Sequence, residues 1–414
     1  MIMRTKNHLG LLLIAACFIF ASPASGHAES LLRLFLEGQV NELYGDNIGI
    51  RSNNQIGDWG TTLVGGFYLD LTSPDRYASL HYDTFAQIYL HRSQLDRAGE
   101  GQFFNATDTE NISPTTKLRF EDFFYRDAPT EVAVATSDQA PEFNNILATL
   151  LLANDQATVN HFGATIYHAW GRKWSSELGV HQTTFWGQGN SSQGNGSVSL
   201  VQSVNTNTIY HFTEKFAAGA GYRFYDFRFT APGRPGAQAH WPYARAIWEP
   251  MRDLYLEGIV GVAIAHTQGT SDTSVNPAGT GIIEYSFQRG HVSIYGGQEP
   301  TLTSALGGVG EIRGGRGTVL YYFTRRLTGS AGAGGYQTFG GGFNGQLVSW
   351  GVGLTERVNQ SVAVYARFIQ LRVSERSADQ ALIPSGLQNG QESVGNYFVI
   401  GMSASIEAFR WSWQ

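Results

Sequence analysis

Cysteine, charged residues and long apolar runs are all scarce in this chain of 414 residues. Its one cysteine, Cys17, lies close to the start, so the rest of the chain can form no disulfide, thiolate metal site or covalent haem attachment. Charged residues make up only 15% of the chain, whereas soluble domains usually hold about a quarter. Beyond the start, no segment approaches the roughly eighteen consecutive apolar residues that a membrane-spanning helix requires. A net charge of -6 and the lack of a basic run give no case for nucleic-acid binding.

The first residues have the pattern of a secretory signal peptide. Arg4 and Lys6 precede an apolar run over 9–21, which small residues follow. We predict a signal peptide over 1–28, with cleavage after Ala24 or Ala28, and a single domain over 29–414. The run Ile14-Ala15-Ala16-Cys17 also fits the pattern before a lipidated cysteine, but the apolar stretch continues past it. We therefore interpret Cys17 as part of the signal.

From about residue 31 onward the chain alternates apolar with polar residues. In the best example, Ala78, Leu80 and Ile88 share one parity while His81 and Asp83 share the other, as the side-chain period of a β-strand requires. A soluble sandwich gives the same alternation. We count about eighteen such segments, or sixteen if weak ones are merged: 32–44, 58–71, 76–91, 100–109, 115–127, 158–171, 174–187, 196–212, 215–229, 239–249, 253–267, 279–288, 290–299, 312–325, 328–339, 346–356, 360–373 and 394–413.

The breaks between these segments alternate in length, and this favours a barrel over a sandwich. The even breaks are short, as at 72–75 and 213–214, while the odd breaks, as at 188–196, 268–278 and 374–393, are longer and rich in Gly, Ser and Asn. Outer-membrane barrels have short periplasmic turns and long extracellular loops. We therefore predict an all-β fold, a transmembrane antiparallel up-and-down β-barrel in the bacterial outer membrane, where it meets lipid after insertion by the barrel assembly machinery.

Aromatic residues end the last predicted strand. Phe409, Trp411 and Trp413 share one parity, as in a strand that enters an interfacial aromatic girdle. They resemble the C-terminal assembly signal of outer-membrane barrels, displaced by one residue because Gln414 is last. We predict that these three aromatics serve that role.

A stretch near the start resembles a more specific group. The residues that carry the resemblance are Gly45-Asp46-Asn47-Ile48, Ile56-Gly57-Asp58-Trp59, 63–71, 77–89, Ser113-Pro114-Thr115-Thr116 and Leu118-Arg119-Phe120-Glu121-Asp122. The order is similar to the start of uncharacterised bacterial outer-membrane barrels associated with exopolysaccharide production and export. The resemblance implies a link to surface polysaccharide and to its export components, and it transfers no catalytic residue. The chain departs from the pattern after Asp127, in a long segment over 128–157 whose apolar run over 146–153 could form a plug or constriction or a surface loop.

No motif in the chain indicates catalysis. There is no Gly-x-Ser-x-Gly elbow, no His-Glu-x-x-His pair and no Cys-x-x-Cys-His haem site. His161 with His168, or His181 with Glu177, could be brought together, but scattered histidines are more often structural. We predict that the protein is not an enzyme and that it holds no cofactor or metal.

The polar parity of the predicted strands supplies candidates for lining a lumen. They are His81, Asp83, Arg119, Glu121, Glu177, His181, Arg223 and Arg245. Both signs of charge occur, which suits a pore for polar solutes and suits internal salt bridges equally. The leading hypothesis is a porin-like pore for polar solutes or exported polysaccharide. The alternatives are a sheath around a lumen-filling partner such as a multihaem cytochrome, and a structural or adhesive barrel with functional loops.

Overall fold

A computed structural model describes residues 30–47, 57–91, 97–126, 157–187, 197–230, 235–269, 273–302, 309–340, 343–377 and 392–413. These residues form eighteen β-strands, and no helix among them is long and apolar enough to cross a membrane. The predicted signal peptide, Cys17 and the segment 128–156 lie outside the described residues. The strands are β1 (Ser30–Gly45), β2 (Asp58–Thr72), β3 (Arg76–Tyr89), β4 (Arg97–Ser113), β5 (Thr116–Arg126), β6 (Ala157–Ala169), β7 (Trp174–Gly187), β8 (Ser197–His211), β9 (Phe216–Phe229), β10 (Ala237–Met251), β11 (Leu254–Thr267), β12 (Thr273–Phe287), β13 (Gly290–Leu302), β14 (Val309–Tyr322), β15 (Leu327–Gly340), β16 (Phe343–Arg357), β17 (Val362–Ser377) and β18 (Glu392–Trp413).

The strands close into one antiparallel barrel. Each strand pairs with its neighbours in sequence, and β1 pairs with both β2 and β18. Closure leaves no sheet edge within the described strands, so the backbone hydrogen bonds are satisfied without water. The predicted fold class and the count of eighteen are confirmed.

Every even break is short, with two to four residues between strands, and we call this end of the barrel the turn end and the opposite end the loop end. At the first of these turns, the amide of Ser73 donates to the carbonyl of Arg76 at 2.8 Å. The odd breaks at the loop end are not all as long as predicted. The predicted loop at 268–278 is partly wrong, because Thr273–Ala278 pair with β11. The break between β15 and β16 is only two residues long, since Gly340 pairs directly with Phe343.

Large apolar side chains cover the outside of the barrel. Leu36 on β1, Ile88 on β3 and Val260 on β11 are 54%, 50% and 69% exposed. Near the turn end, the rings of Trp174 and Tyr210 contact each other with centroids 4.8 Å apart. Exposed apolar surface on this scale indicates contact with lipid.

In the last strand, the residues that face outward change from even-numbered to odd-numbered positions before the strand ends. The pairing of β1 with β18 shifts register between Leu34 and Phe35, which leaves Ala408 as the extra residue of a β-bulge. Phe409 and Trp411 consequently pair with Leu34 and Leu32, which share the parity of the exposed Leu36, and the two aromatics are 49% and 55% exposed. Two of the three predicted assembly aromatics therefore face outward, while the side chain of Trp413 lies outside the described set.

The inner wall is apolar toward the loop end. Phe103 packs edge-on against Phe123 with ring centroids 5.5 Å apart, within a buried cluster that spans β3 to β10. A second cluster around Leu371 and Tyr397, which are 0% and 1% exposed, spans β14 to β18 and β1. Polar side chains are concentrated between these clusters and the turn end, in the middle of the barrel.

Candidate lumen-lining site

Two cavities of about 430 and 360 Å³ lie against the inner wall. The first borders β1 to β3, β17, β18 and the turn at 358–361, and the second borders β5 to β13. All eight predicted lumen-lining residues border one of them. His81 and Asp83 border the first cavity, and the second is bordered by Arg119, Glu121, Glu177, His181, Arg223 and Arg245.

In the first cavity, His81 bridges carboxylates from two different strands. The register places Glu37, Gly66 and Asp83 side by side on β1, β2 and β3. Gly66 has no side chain, and a Cβ there would lie 2.1 Å from Oδ1 of Asp83. The imidazole can therefore lie across the middle strand, where its Nε2 is 3.1 Å from both Glu37 Oε2 and Asp83 Oδ2.

The second cavity contains a similar arrangement around Glu121. The register places Glu121 of β5, Gly163 of β6 and His181 of β7 side by side. Oε1 of Glu121 is 3.5 Å from Nε2 of His161 and 3.6 Å from Nδ1 of His181. Its other oxygen, Oε2, is 3.0 Å from Nη2 of Arg119. One carboxylate thus faces two imidazoles on one side and a guanidinium on the other.

Further round the wall, Arg245 is held between two glutamates. Its Nε donates to Oε1 of Glu257 at 2.9 Å, and its Nη1 lies 3.5 Å from Oε2 of Glu177. Glu177 also accepts hydrogen bonds of 3.0 Å from the side-chain amides of Asn205 and Asn207. Both oxygens of Glu177 are therefore satisfied, which fixes the arginine beside the cavity.

Arg223 and Glu299 approach each other across part of the lumen. They belong to β9 and β13, which are four strand spacings of about 4.8 Å apart along the wall, yet Nη1 and Oε2 are 3.7 Å apart. Arg223 also lies over the ring of Trp241, 5.1 Å from its centroid, and Tyr295 donates to Glu299 at 3.0 Å. Side chains that leave the wall to meet in this way narrow the lumen at this level.

Four charged or titratable partners were not among the predicted residues: Glu37, His161, Glu257 and Glu299. Each lies on the lumen parity of its strand, so alternation could have included them. The histidine pairs considered from sequence are not the ones that form. His161 and His168 are seven residues apart and face opposite sides of β6, where His168 contacts Thr116, while Glu177 contacts Arg245 rather than His181.

The described fold and inner wall define an integral β-barrel protein of the outer membrane, with an apolar outer surface and a charged inner one.

No protein-family model and no curated protein matches the chain. Several solved structures have a similar fold. OccK7 (OpdD) of Pseudomonas aeruginosa is 10% identical, with coverage of 92% of this chain and 99% of that chain and a TM-score of 0.46. The outer membrane protein opdK of the same organism is 10% identical, with coverage of 92% and 99% and a TM-score of 0.43. The ferric-catecholate import receptor Fiu of E. coli K12 is 8% identical, with coverage of 89% and 81% and a TM-score of 0.40. The expectation that the chain is not an enzyme stays a prediction.

Proposed function

We propose that this barrel is a passive outer-membrane pore for polar solutes. The observation that carries the proposal is the polar inner wall at mid-barrel, where the two cavities are bordered by both signs of charge. Arg119, Arg223 and Arg245 each lie within 3.7 Å of a carboxylate. A wall whose charges are largely paired presents hydrogen-bonding groups without a strong field of one sign. Such a wall suits neutral or weakly charged hydrophilic solutes.

Export of a polysaccharide is the finer form of this proposal. It is supported by the resemblance of the region 44–127 to barrels associated with exopolysaccharide, and by the first cavity, which extends from mid-barrel to the turn at 358–361. A long polar polymer requires a continuous polar path, and that cavity supplies one part of such a path. A lumen-filling partner and an adhesive role of the loops are the competing functions.

Single-channel conductance of the purified barrel in a planar bilayer tests the pore directly. Ser203 borders the second cavity, while the adjacent Val204 faces outward and is 41% exposed. We expect steady openings, a lower conductance in Ser203→Trp and an unchanged conductance in Val204→Trp, because only the first change adds a bulky ring to the lumen. Dextran fractions added to one side then distinguish polymer passage, seen as transient blocks, from passage of small solutes alone.

A silent barrel would contradict an open pore. The same recording after deletion of residues 131–154 then separates the remaining functions. Conductance restored by the deletion would identify a plug, whereas silence in both would favour the partner-filled or adhesive barrel.

A further inference from the structure

The cluster of Glu121, His161 and His181 has the composition of a transition-metal site. Contrary to the prediction from sequence that the protein holds no metal, we propose that these three side chains bind a divalent ion of the zinc class on the inner wall of the barrel. One ligand atom from each side chain lies within 4.8 Å of the other two. Two imidazoles and one carboxylate are a common ligand set for Zn²⁺, with a fourth position left to water or solute. The proposal is independent of the pore function, because it concerns binding alone.

The distances favour a metal over hydrogen bonds. The contacts from Glu121 Oε1 to the two imidazole nitrogens are 3.5 and 3.6 Å, well beyond the usual N–H···O distance of about 2.9 Å. Two ligands of a tetrahedral zinc, each about 2.05 Å from the ion, are about 3.35 Å apart. Oε1 of Glu121 is therefore within about 0.3 Å of the ligand–ligand distance to each imidazole, and one nitrogen of each imidazole lies within 4.8 Å of the other.

The surrounding hydrogen bonds orient the ligands. Nδ1 of His161 lies 2.8 Å from Oγ1 of Thr183, which turns Nε2 toward the carboxylate. Arg119 binds Oε2 of Glu121, so Oε1 is the oxygen that faces the imidazoles. Partners of this kind fix the tautomer and the direction of metal ligands. The side chains are only 10–22% exposed, yet all three border the second cavity.

Gly163 keeps the space between the ligands open. A Cβ at this position would lie 2.6 Å from Nδ1 of His181 and 2.9 Å from Oε1 of Glu121. Any larger residue on the middle strand would fill the place of the ion. Substitution of Gly163 by a larger residue should therefore block the site while all three ligands remain.

The related cluster of Glu37, His81 and Asp83 is the internal contrast. Its three side chains also meet the spacing of a metal site, but its single imidazole nitrogen lies only 3.1 Å from both carboxylate oxygens, close to hydrogen-bond distance. The Glu121 cluster instead has two imidazoles for one carboxylate and longer separations. The metal is therefore assigned to the Glu121 cluster, and His81 serves as a matched control.

The test is zinc binding by the full-length barrel, purified without a histidine tag and dialysed against ZnSO₄. Bound zinc is measured by mass spectrometry, and the visible spectrum of the Co²⁺-loaded protein reports tetrahedral coordination. We expect a single equivalent in the wild type, and binding weaker by more than about 100-fold in His161→Gln and His181→Gln. Binding should be unchanged in His81→Gln, and a heat-modifiable shift in electrophoretic mobility confirms that each variant is folded.

Gly163→Ala tests the site if a histidine variant fails to fold. It should also lose zinc, whereas Gly258→Ala, where a Cβ meets nothing within 4 Å, should retain it. The proposal is overturned if the wild type holds no zinc, if all variants bind alike, or if His81→Gln loses the ion while His161→Gln keeps it.

Discussion

The contact between Arg223 and Glu299 should set the ion preference of the barrel. At their separation of 3.7 Å, two unit charges attract by about 1 kcal/mol at the dielectric constant of water and by about 4.5 kcal/mol at an effective constant of about 20. Their side chains are 25% and 15% exposed, so the real value lies between these limits. Neutralising one partner therefore leaves an uncompensated charge where the lumen is narrowed.

The direction of the effect follows from which partner is removed. Glu299→Gln leaves the guanidinium unpaired and should shift the pore toward anions, whereas Arg223→Gln should shift it toward cations. A small ion that passes an unpaired charge at a similar distance in water changes energy by about 1 kcal/mol, which is about a fivefold change in its local concentration. The double variant should return close to the wild-type preference.

The assay is the reversal potential in a KCl gradient across a planar bilayer. Arg228→Gln is the matched control, because Arg228 is on the same strand but faces outward and is paired with Asp226 at 2.6 Å. It should leave the reversal potential unchanged. Shifts of the same sign in both single variants, or a double variant that keeps the shift of one of them, would refute the assignment of this pair to the lumen.

Three further predictions concern stability and assembly. Gly66→Ala should lower the free energy of unfolding by about 1–3 kcal/mol, because its Cβ would lie 2.2 Å from the carbonyl oxygen of the neighbouring strand; Gly65→Ala, with nothing within 4 Å, should be nearly neutral in the same urea titration in micelles. Trp241→Ala should cost about 3–5 kcal/mol, since this ring is fully buried, and Trp248→Ala should cost less in that titration because its ring is 50% exposed to lipid. Trp411→Ala should reduce the amount of folded barrel in outer-membrane fractions while Trp411→Phe retains it, and equal yields would argue against an assembly role.

The strand number and the order of the short turns could be predicted because both depend on local sequence. Alternation with a period of two marks each strand, and pairs such as Arg325 and Arg326 interrupt it. The outer ends of strands were harder to predict. Thr273–Ala278 are predicted to form a loop because Thr, Ser, Asn and Pro interrupt the apolar pattern there, although Val275 is exposed opposite the outward-facing Ile264. Their pairing with β11 is a property of the barrel rather than of the segment.

The contacts of the inner wall could be predicted only in part. Parity identifies Glu121 and His181 as inward, but it does not say that they lie level with each other. That depends on the register of β5, β6 and β7, which is set by pairing along the whole length of each strand. The bulge at Ala408 is likewise a feature of two paired strands, so the sequence of β18 alone does not reveal it.

Glycine on a middle strand explains why the polar clusters form where they do. Strands on either side of a middle strand are two spacings apart, about 9.6 Å. A side chain on the middle strand would keep the side chains of the two flanking strands from meeting. Gly66 and Gly163 remove that obstacle, and the groups of the flanking strands meet above them. A Cβ on Gly66 would come within 3 Å of Asp83, and a Cβ on Gly163 would come within 3 Å of His181 and Glu121. The two glycines therefore act as determinants of lumen chemistry, because they allow charged groups from three neighbouring strands to meet on the inner wall.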